Sequence, residues 1–163
     1  MTGTLPDEVH AVFEHFRTAE MSTYAKDGTP VGIEVTPVWQ PDAGRFLVTS
    51  AIGLPNKAFN ARRDPKVSLL FSDPTASGLT SPPAVLVQGD ATVSDLITWD
   101  DELAQYWRVL WTKQPAGRRW GADPVTRWLM DWYYMRLKVH VTPRRMRWWP
   151  GGDMSAPPKE VAL

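Results

Sequence analysis

Frequent proline divides this chain into short segments, which limits the folds open to it. The chain holds 15 Pro in 163 residues. Between them, segments of alternating apolar and polar residues are separated by turn signals about every 8–12 residues, a spacing typical of antiparallel barrels. The clearest signal is Asp27-Gly28, because both central residues of a type I′ hairpin turn take positive φ. The pattern predicts a mainly β fold, an antiparallel barrel of six or seven strands.

Helices are predicted before, between and after these strands. Apolar residues at three- and four-residue spacing predict an N-terminal helix over residues 5–18, with Thr4 as its cap. A short helix is expected after the third strand, over residues 57–63. Two Trp-rich helices are expected before the last strands, one following Trp99 and one starting at Asp123. Residues 1–150 are expected to form one domain and residues 151–163 a flexible C-terminal tail.

Two residues indicate an irregularity or an end within the predicted strands. Gly89 lies inside a strand predicted over residues 84–93, where a glycine indicates a bulge or a close approach of another backbone. Pro143 is expected to end the strand that begins at residue 135, because proline cannot donate a ladder hydrogen bond.

Composition excludes several classes of protein. The chain has no Cys, which excludes disulfides and thiolate sites. It has 18 Lys and Arg against 18 Asp and Glu, a balance that argues against a nucleic-acid binder. No apolar run approaches the roughly 20 residues of a membrane span, and the N-terminus lacks the pattern of a signal peptide. The expectation is a cytoplasmic protein with no nucleic-acid or membrane partner.

The standard catalytic and metal-binding motifs are absent. The sequence has no nucleophile elbow, phosphate-binding loop, dinucleotide fingerprint or zinc-binding helix. Of the three His, His10 and His15 are five residues apart on the first helix and so lie on different faces. His140 alternates against the apolar face of its strand and is expected to be exposed or hydrogen-bonded. No metal site is predicted.

The residues that remain suggest a site for an anion. Thr49 and Ser50 end a predicted strand, and Asn56 and Lys57 open a helix a few residues later. Hydroxyls, free amides at a helix start and a lysine are suited to a phosphate. The alternative is that these residues are ordinary caps and that Lys57 is solvated.

A series of segments in fixed order resembles a known family. The segments are Thr-Tyr-Ala-Lys-Asp-Gly-Thr-Pro at 23–30, Pro-Val-Trp at 37–39, Phe-Leu-Val-Thr-Ser at 46–50, Asn-Lys at 56–57, Asn-Ala-Arg-Arg-Asp-Pro-Lys-Val-Ser-Leu at 60–69 and Val-Gln-Gly-Asp-Ala-Thr-Val at 87–93. In this order they resemble the pyridoxamine 5′-phosphate oxidase-like, FMN-binding split-barrel flavoproteins. Residues 142–149 are similar to the closing strand of that family.

The resemblance implies a split β-barrel that forms a homodimer, with two equivalent cofactor sites in its interface. Carried over to this sequence, it implies that residues of three segments bind the cofactor. The phosphate would be held by Thr49, Ser50 and Lys57 with support from Arg62 or Arg63, the ring would lie along Glu34, Val35, Thr36 and Pro37, and Gln88 would approach from its own strand.

Two cofactors suit the resemblance, the deazaflavin coenzyme F420 and FMN. The deazaflavin is preferred because residues 108–147 hold ten Lys or Arg against two acids, a net of 10 − 2 = +8, which would suit its acidic glutamyl tail. In this hypothesis Arg118 and Arg119 bind that tail. The alternative is that these basic residues form a solvated face that binds no ligand.

The expected function is that of an oxidoreductase that transfers a hydride between the bound cofactor and a small organic substrate. The catalytic residues are not specified, because the cofactor carries the hydride. Eight of the nine Trp fall between Trp99 and Trp149. They would wall the ring and the substrate pocket, or pack in the core or dimer interface. The alternatives are an FMN-dependent oxidoreductase of the same fold and a non-catalytic flavin- or haem-binding protein.

Overall fold

The computed structural model describes residues 5–95, 100–120 and 124–163 of the chain. Thr4, Trp99 and Asp123, which the sequence places at helix starts, lie outside these ranges. Eight strands and five α-helices are described in chain order: α1 (Asp7–His15), β1 (Ala19–Tyr24), β2 (Pro30–Val35), β3 (Val38–Gln40), β4 (Arg45–Ala51), α2 (Asn56–Arg63), β5 (Lys66–Phe71), β6 (Ala84–Val93), α3 (Asp101–Lys113), α4 (Pro124–Leu129), α5 (Asp131–Tyr134), β7 (Arg136–Trp149) and β8 (Lys159–Val161).

All eight strands belong to one sheet. Its order is β2-β1-β5-β6-β7-β4-β3, with β8 paired to residues 146–148 of β7, and every pairing is antiparallel. The sheet curls around α1, and the predicted mainly β split-barrel fold is confirmed. The predicted hairpin joins β1 to β2, but its turn is not type I′, because Gly28 has φ 86° whereas Asp27 does not have positive φ.

The core lies between α1 and the concave face of the sheet. Val9, Val12 and Phe13 project from one side of α1 and are almost completely buried. The Phe13 ring packs edge-on against Phe46 of β4, with ring centroids 4.8 Å apart, and lies 5.1 Å from the ring of Phe71 on β5. Aromatic pairs in this arrangement add to the stabilisation from burial alone.

The strand boundaries differ at two places from what the sequence indicates. The segment 31–39 is not one strand, because it breaks at residues 36 and 37 into β2 and β3, which occupy opposite edges of the sheet. The break frees Thr36 and Pro37 from the ladder. Pro143 does not end a strand: β7 continues through it, because Pro143 lies opposite Gly89, where the pairing register shifts.

Part of the C-terminal segment, predicted as a flexible tail, pairs with the sheet. Residues 159–161 form β8 along β7, and Val161 is 7% exposed and packs in the main core. The Lys159 ammonium lies 4.6 Å from the centroid of the Trp148 ring. Helices are short throughout: among those described, none is long and apolar enough to cross a bilayer.

Candidate active site

A pocket with a volume of about 310 Å³ lies between α3 and the ends of β2 and β4. The break after β2 turns the chain at its rim, and α2 begins just beyond the end of β4. Helix α3 covers the opposite side. The side chains on the barrel side belong to Thr18, Glu34, Val35, Thr36, Thr49 and Lys57, and those on the other side to Tyr106, Trp107, Leu110, Gln114 and Arg136.

Two cationic side chains face this pocket. Lys57 is the second residue of α2, and Arg136 is the first residue of β7, where it pairs with Ala51 at the end of β4. Burial, and after it the charge of Arg136, lowers the pKa of Lys57. Neither cation lies within 4.0 Å of a carboxylate of the described residues. Two close cations without such a partner favour the binding of an anion.

The Arg136 guanidinium is held in place by backbone and rings. Its Nε donates to the carbonyl oxygen of Tyr133 at 3.0 Å. Its central carbon lies 5.1 Å from the Trp107 ring centroid and 4.7 Å from the Tyr133 ring centroid. Contacts of a guanidinium with aromatic faces are favourable and fix its plane. Arg136 is therefore preorganised at the pocket wall.

Helix α3 also fixes the chain at the break between β2 and β3. The Tyr106 hydroxyl donates to the carbonyl oxygen of Thr36 at 3.2 Å, and the Gln114 Nε2 donates to Thr36 Oγ1 at 3.0 Å. Burial raises the pKa of Tyr106, so its hydroxyl stays protonated and able to donate. These two bonds hold the Thr36 residue against the pocket.

The N-terminal end of α3 is anchored to the sheet by one carboxylate. Glu102 accepts hydrogen bonds from Gln40 Nε2 at 2.9 Å, from Arg45 at 3.2 Å and from Lys138 Nζ at 2.7 Å, and it contacts His140 Nε2 at 2.8 Å. Burial acts to raise the pKa of Glu102, but the hydrogen bonds from Lys138, Gln40 and His140 lower it to about 2. His140 is thus hydrogen-bonded, one of the two states predicted for it.

Trp107 forms the apolar part of the pocket wall. It is 1% exposed and packs against Trp111 and Tyr134, with ring centroids 5.9 Å and 5.0 Å away. Its Nε1 is buried and has no hydrogen-bond partner in the part of the chain that the structure describes. A wall with aromatic rings, two cations and hydroxyl donors fits a ligand that combines a planar ring with a phosphate.

Comparison with known proteins agrees with this geometry. The sequence pattern of the family described as pyridoxamine 5′-phosphate oxidase matches residues 5–127. The chain belongs to this family. The pyridoxamine 5′-phosphate oxidase family binds FMN-type flavins and includes oxidases and reductases. A search of curated proteins found no match.

Solved structures with the same fold include proteins of different names. A conserved hypothetical protein from Mycobacterium tuberculosis is 22% identical, with a TM-score of 0.65 over 99% of this chain and 94% of that one. An F420 reductase is 19% identical, with a TM-score of 0.60 over 87% of this chain and 98% of that one. A haem-binding protein from Mycobacterium smegmatis is 16% identical, with a TM-score of 0.60 over 98% of this chain and 59% of that one.

The pocket gathers five of the residues that the family resemblance assigns to the cofactor. Thr49 and Lys57 meet there at the junction of β4 and α2. The other three come from the end of β2 and the break that follows it: Glu34, Val35 and Thr36.

The other six predicted residues do not line the pocket in this chain. Ser50 is fully buried and donates to the Leu54 carbonyl at 3.0 Å, so it shapes the loop before α2. Arg62 donates to the Ser94 carbonyl at 2.7 Å, and Arg63 donates to the Tyr24 carbonyl at 2.8 Å. The remaining three are Asn56, exposed at the start of α2, Pro37, buried after the break, and Gln88, which accepts from Arg147 at 3.2 Å.

Three residues of the basic run at 108–147 are paired with carboxylates from other parts of the chain. Lys138 contacts Asp100 at 2.6 Å as well as Glu102. Arg144 pairs with Asp90 at 2.9 Å, and Arg145 pairs with Glu160 at 2.8 Å. Arg118 is exposed, and the side chain of Arg119 lies outside the described part. The local charge of the run is therefore smaller at these three residues than its count along the sequence.

Sequence reasoning missed four polar residues of the pocket: Thr18, Tyr106, Gln114 and Arg136. The last three come from the segment that the family resemblance did not cover. The alternation from residue 135 predicted a strand there, and an arginine near its start was the available signal for Arg136.

Proposed function

We propose that this protein is an oxidoreductase whose pocket binds a flavin-type cofactor, with the deazaflavin coenzyme F420 as the preferred cofactor and FMN as the alternative. The observation that carries the proposal is the convergence of Lys57 and Arg136 on a pocket beside Thr49, where the Trp107 ring that contacts Arg136 forms an aromatic wall. The reaction would be hydride transfer between the cofactor and a small organic substrate.

Each group in the pocket has a role that its chemistry supports. Lys57 and Arg136 would hold the cofactor phosphate through charge-assisted hydrogen bonds, and the Thr49 hydroxyl would add a neutral one. Trp107 would exclude water from one side of the ring. When bound, the cofactor supplies the hydride chemistry, and the protein supplies binding, orientation and electrostatics.

The preference for the deazaflavin is supported by the fold shared with an F420 reductase. The basic run supports it less than its charge count suggested, because Lys138, Arg144 and Arg145 are paired with carboxylates. FMN therefore stays as a direct competitor in every binding experiment.

We further propose that the protein is a homodimer with the pocket at or near the interface. Tyr24, Val31 and Ile33 are apolar or aromatic residues of the β1–β2 hairpin, and each is between 37% and 41% exposed. The same strand continues into Glu34, which lines the pocket. Exposed apolar residues grouped on an edge hairpin are typical of an interface. Sedimentation of the protein should give twice the mass of the chain.

The proposal is tested by titrating purified apo-protein with F420 and with FMN while following cofactor fluorescence. Replacement Lys57→Ala should weaken binding by about 1–3 kcal/mol, roughly 5- to 150-fold, because a buried charge-assisted bond is lost. The matched control is Lys66→Ala, since Lys66 is an exposed lysine away from the pocket. Equal affinities of the two variants, or no binding of either cofactor by the wild-type protein, would refute the proposal.

Turnover separates an enzyme from a binding protein. A cofactor that is reduced in the protein and then reoxidised by an added small acceptor supports the oxidoreductase. A tightly bound cofactor that no acceptor reoxidises supports the non-catalytic alternative.

A further inference from the structure

Thr36 is fixed from two directions by residues of the α3 segment. Its carbonyl oxygen accepts from the Tyr106 hydroxyl, and its Oγ1 accepts from Gln114 Nε2 at 3.0 Å. Thr36 and Gln114 are 78 residues apart in sequence, and both line the pocket. Thr36 itself is 8% exposed.

The direction of the bond from Gln114 determines what the Thr36 hydroxyl can do. A threonine hydroxyl has one hydrogen to donate and two sites that accept. Because Gln114 donates to Oγ1, the hydroxyl hydrogen is left to another partner. Among the residues that the structure describes, Thr36 Oγ1 makes no hydrogen bond other than the one it accepts from Gln114. Since Thr36 lines the pocket, a ligand there can supply the acceptor.

We propose that Thr36 donates a hydrogen bond from Oγ1 to an acceptor atom of the bound flavin-type cofactor, and that Gln114 is the positioning residue that makes Thr36 a donor. This inference rests on the proposed function of the pocket. It adds a positioning residue for the cofactor, because a donor held at this wall favours the ring orientation that presents an acceptor atom there.

The first test removes the hydroxyl and restores it. Thr36→Val keeps the shape of the side chain but cannot donate, so affinity for the preferred cofactor should fall about 3- to 10-fold, the usual effect of one hydrogen bond. Thr36→Ser keeps the hydroxyl and should bind with affinity close to that of the wild-type protein. The absorption spectrum of the bound ring should shift in Thr36→Val and not in Thr36→Ser.

The second test reverses the bond from Gln114. In Gln114→Glu the side chain is nearly the same size, but its carboxylate only accepts, so it turns the Thr36 hydrogen towards itself and away from the pocket. The new charge also repels a phosphate. The control for charge is Gln105→Glu, because Gln105 is exposed on the same helix. Combining Gln114→Glu with Thr36→Val isolates the hydroxyl, since only the charge effect is left in that background.

Gln114→Glu should weaken cofactor binding in both backgrounds. The fold-loss of affinity in the wild-type background should be about 3 to 10 times the fold-loss in the Thr36→Val background. Equal factors in the two backgrounds would overturn the positioning role of Gln114. Unchanged affinity in Thr36→Val would overturn the donor role while the proposed function stands. If the wild-type protein binds neither F420 nor FMN, the proposed function fails and this inference fails with it.

Discussion

The replacement Gly89→Ala should damage the sheet at a point where two backbones meet. A Cβ at Gly89 would lie 2.3 Å from the carbonyl oxygen of Thr142 and 2.9 Å from its carbonyl carbon, against 3.4–4 Å for an ordinary contact. The neighbouring atoms belong to the backbone of β7, so no side-chain rotation relieves the overlap. The strands must separate by about 1 Å or more, and overpacking of this kind costs about 1–3 kcal/mol and occasionally more.

The size of the overlap places the expected loss in the free energy of unfolding near the upper end of this range, at about 3 kcal/mol. The gain from restricting the unfolded chain offsets only about 0.4–1 kcal/mol of it. For a domain of this length the loss corresponds to a fall in Tm of roughly 6–12 °C.

The assay for Gly89→Ala is thermal and urea unfolding followed by circular dichroism. The control is Gly53→Ala, because a Cβ at Gly53 would meet nothing within 4 Å. Equal stability of the two variants would refute the close approach and, with it, the register shift between β6 and β7 at this residue.

Three further predictions concern stability. The hydrogen bonds of Glu102 lower its pKa to about 2. Its contribution to the free energy of unfolding is therefore present above the ordinary pKa of a glutamate and is lost as the pH falls towards 2. In urea unfolding, the stability of Glu102→Gln should depend less on acid pH than that of the wild-type protein. Burial lowers the pKa of Lys113 to about 8, so the unfolded chain binds the proton more tightly than the folded chain. The free energy of unfolding should therefore rise between about pH 8 and 10. Lys113→Met should abolish this rise in the same assay. Trp107→Ala should cost about 3–5 kcal/mol in chemical unfolding, whereas Trp128→Ala should change stability by less than about 0.5 kcal/mol, because Trp107 is 1% and Trp128 76% exposed.

Local sequence patterns predicted those elements whose partners lie nearby in the chain. The Asp27-Gly28 turn joins two strands that are neighbours in sequence, and the apolar stripe of α1 faces the core directly. Gly89 carried a signal because the absence of a side chain is itself visible in a sequence. At the break between β2 and β3, Pro37 was a visible signal, since proline cannot donate a ladder hydrogen bond. That the two strands join opposite edges depends on the whole sheet and could not be read from it.

The pocket required contacts between distant parts of the chain. Thr49 and Lys57 could be paired because eight residues separate them, and a strand end followed by a helix start brings such residues together. Tyr106 and Gln114 reach Thr36 across 70 and 78 residues. Their helix was predicted from its Trp and Leu spacing, but the side of the barrel that it covers could not be inferred from periodicity.

The charge pattern shows why a sum along the chain is a poor guide to the field at a site. The first 107 residues are acidic and the following basic run is positive, and folding brings the two together across the sheet. Lys138 meets Asp100 and Glu102 at the start of α3, and Arg144 meets Asp90 on β6. Each of these pairs lies partly in solvent, where its remaining field is screened within about 10 Å. Arg136 belongs to the same run but lies between rings at a pocket wall, where screening is weaker. In the proposed function, recognition of an anionic ligand would therefore depend more on where Lys57 and Arg136 are held than on the total charge of the segment.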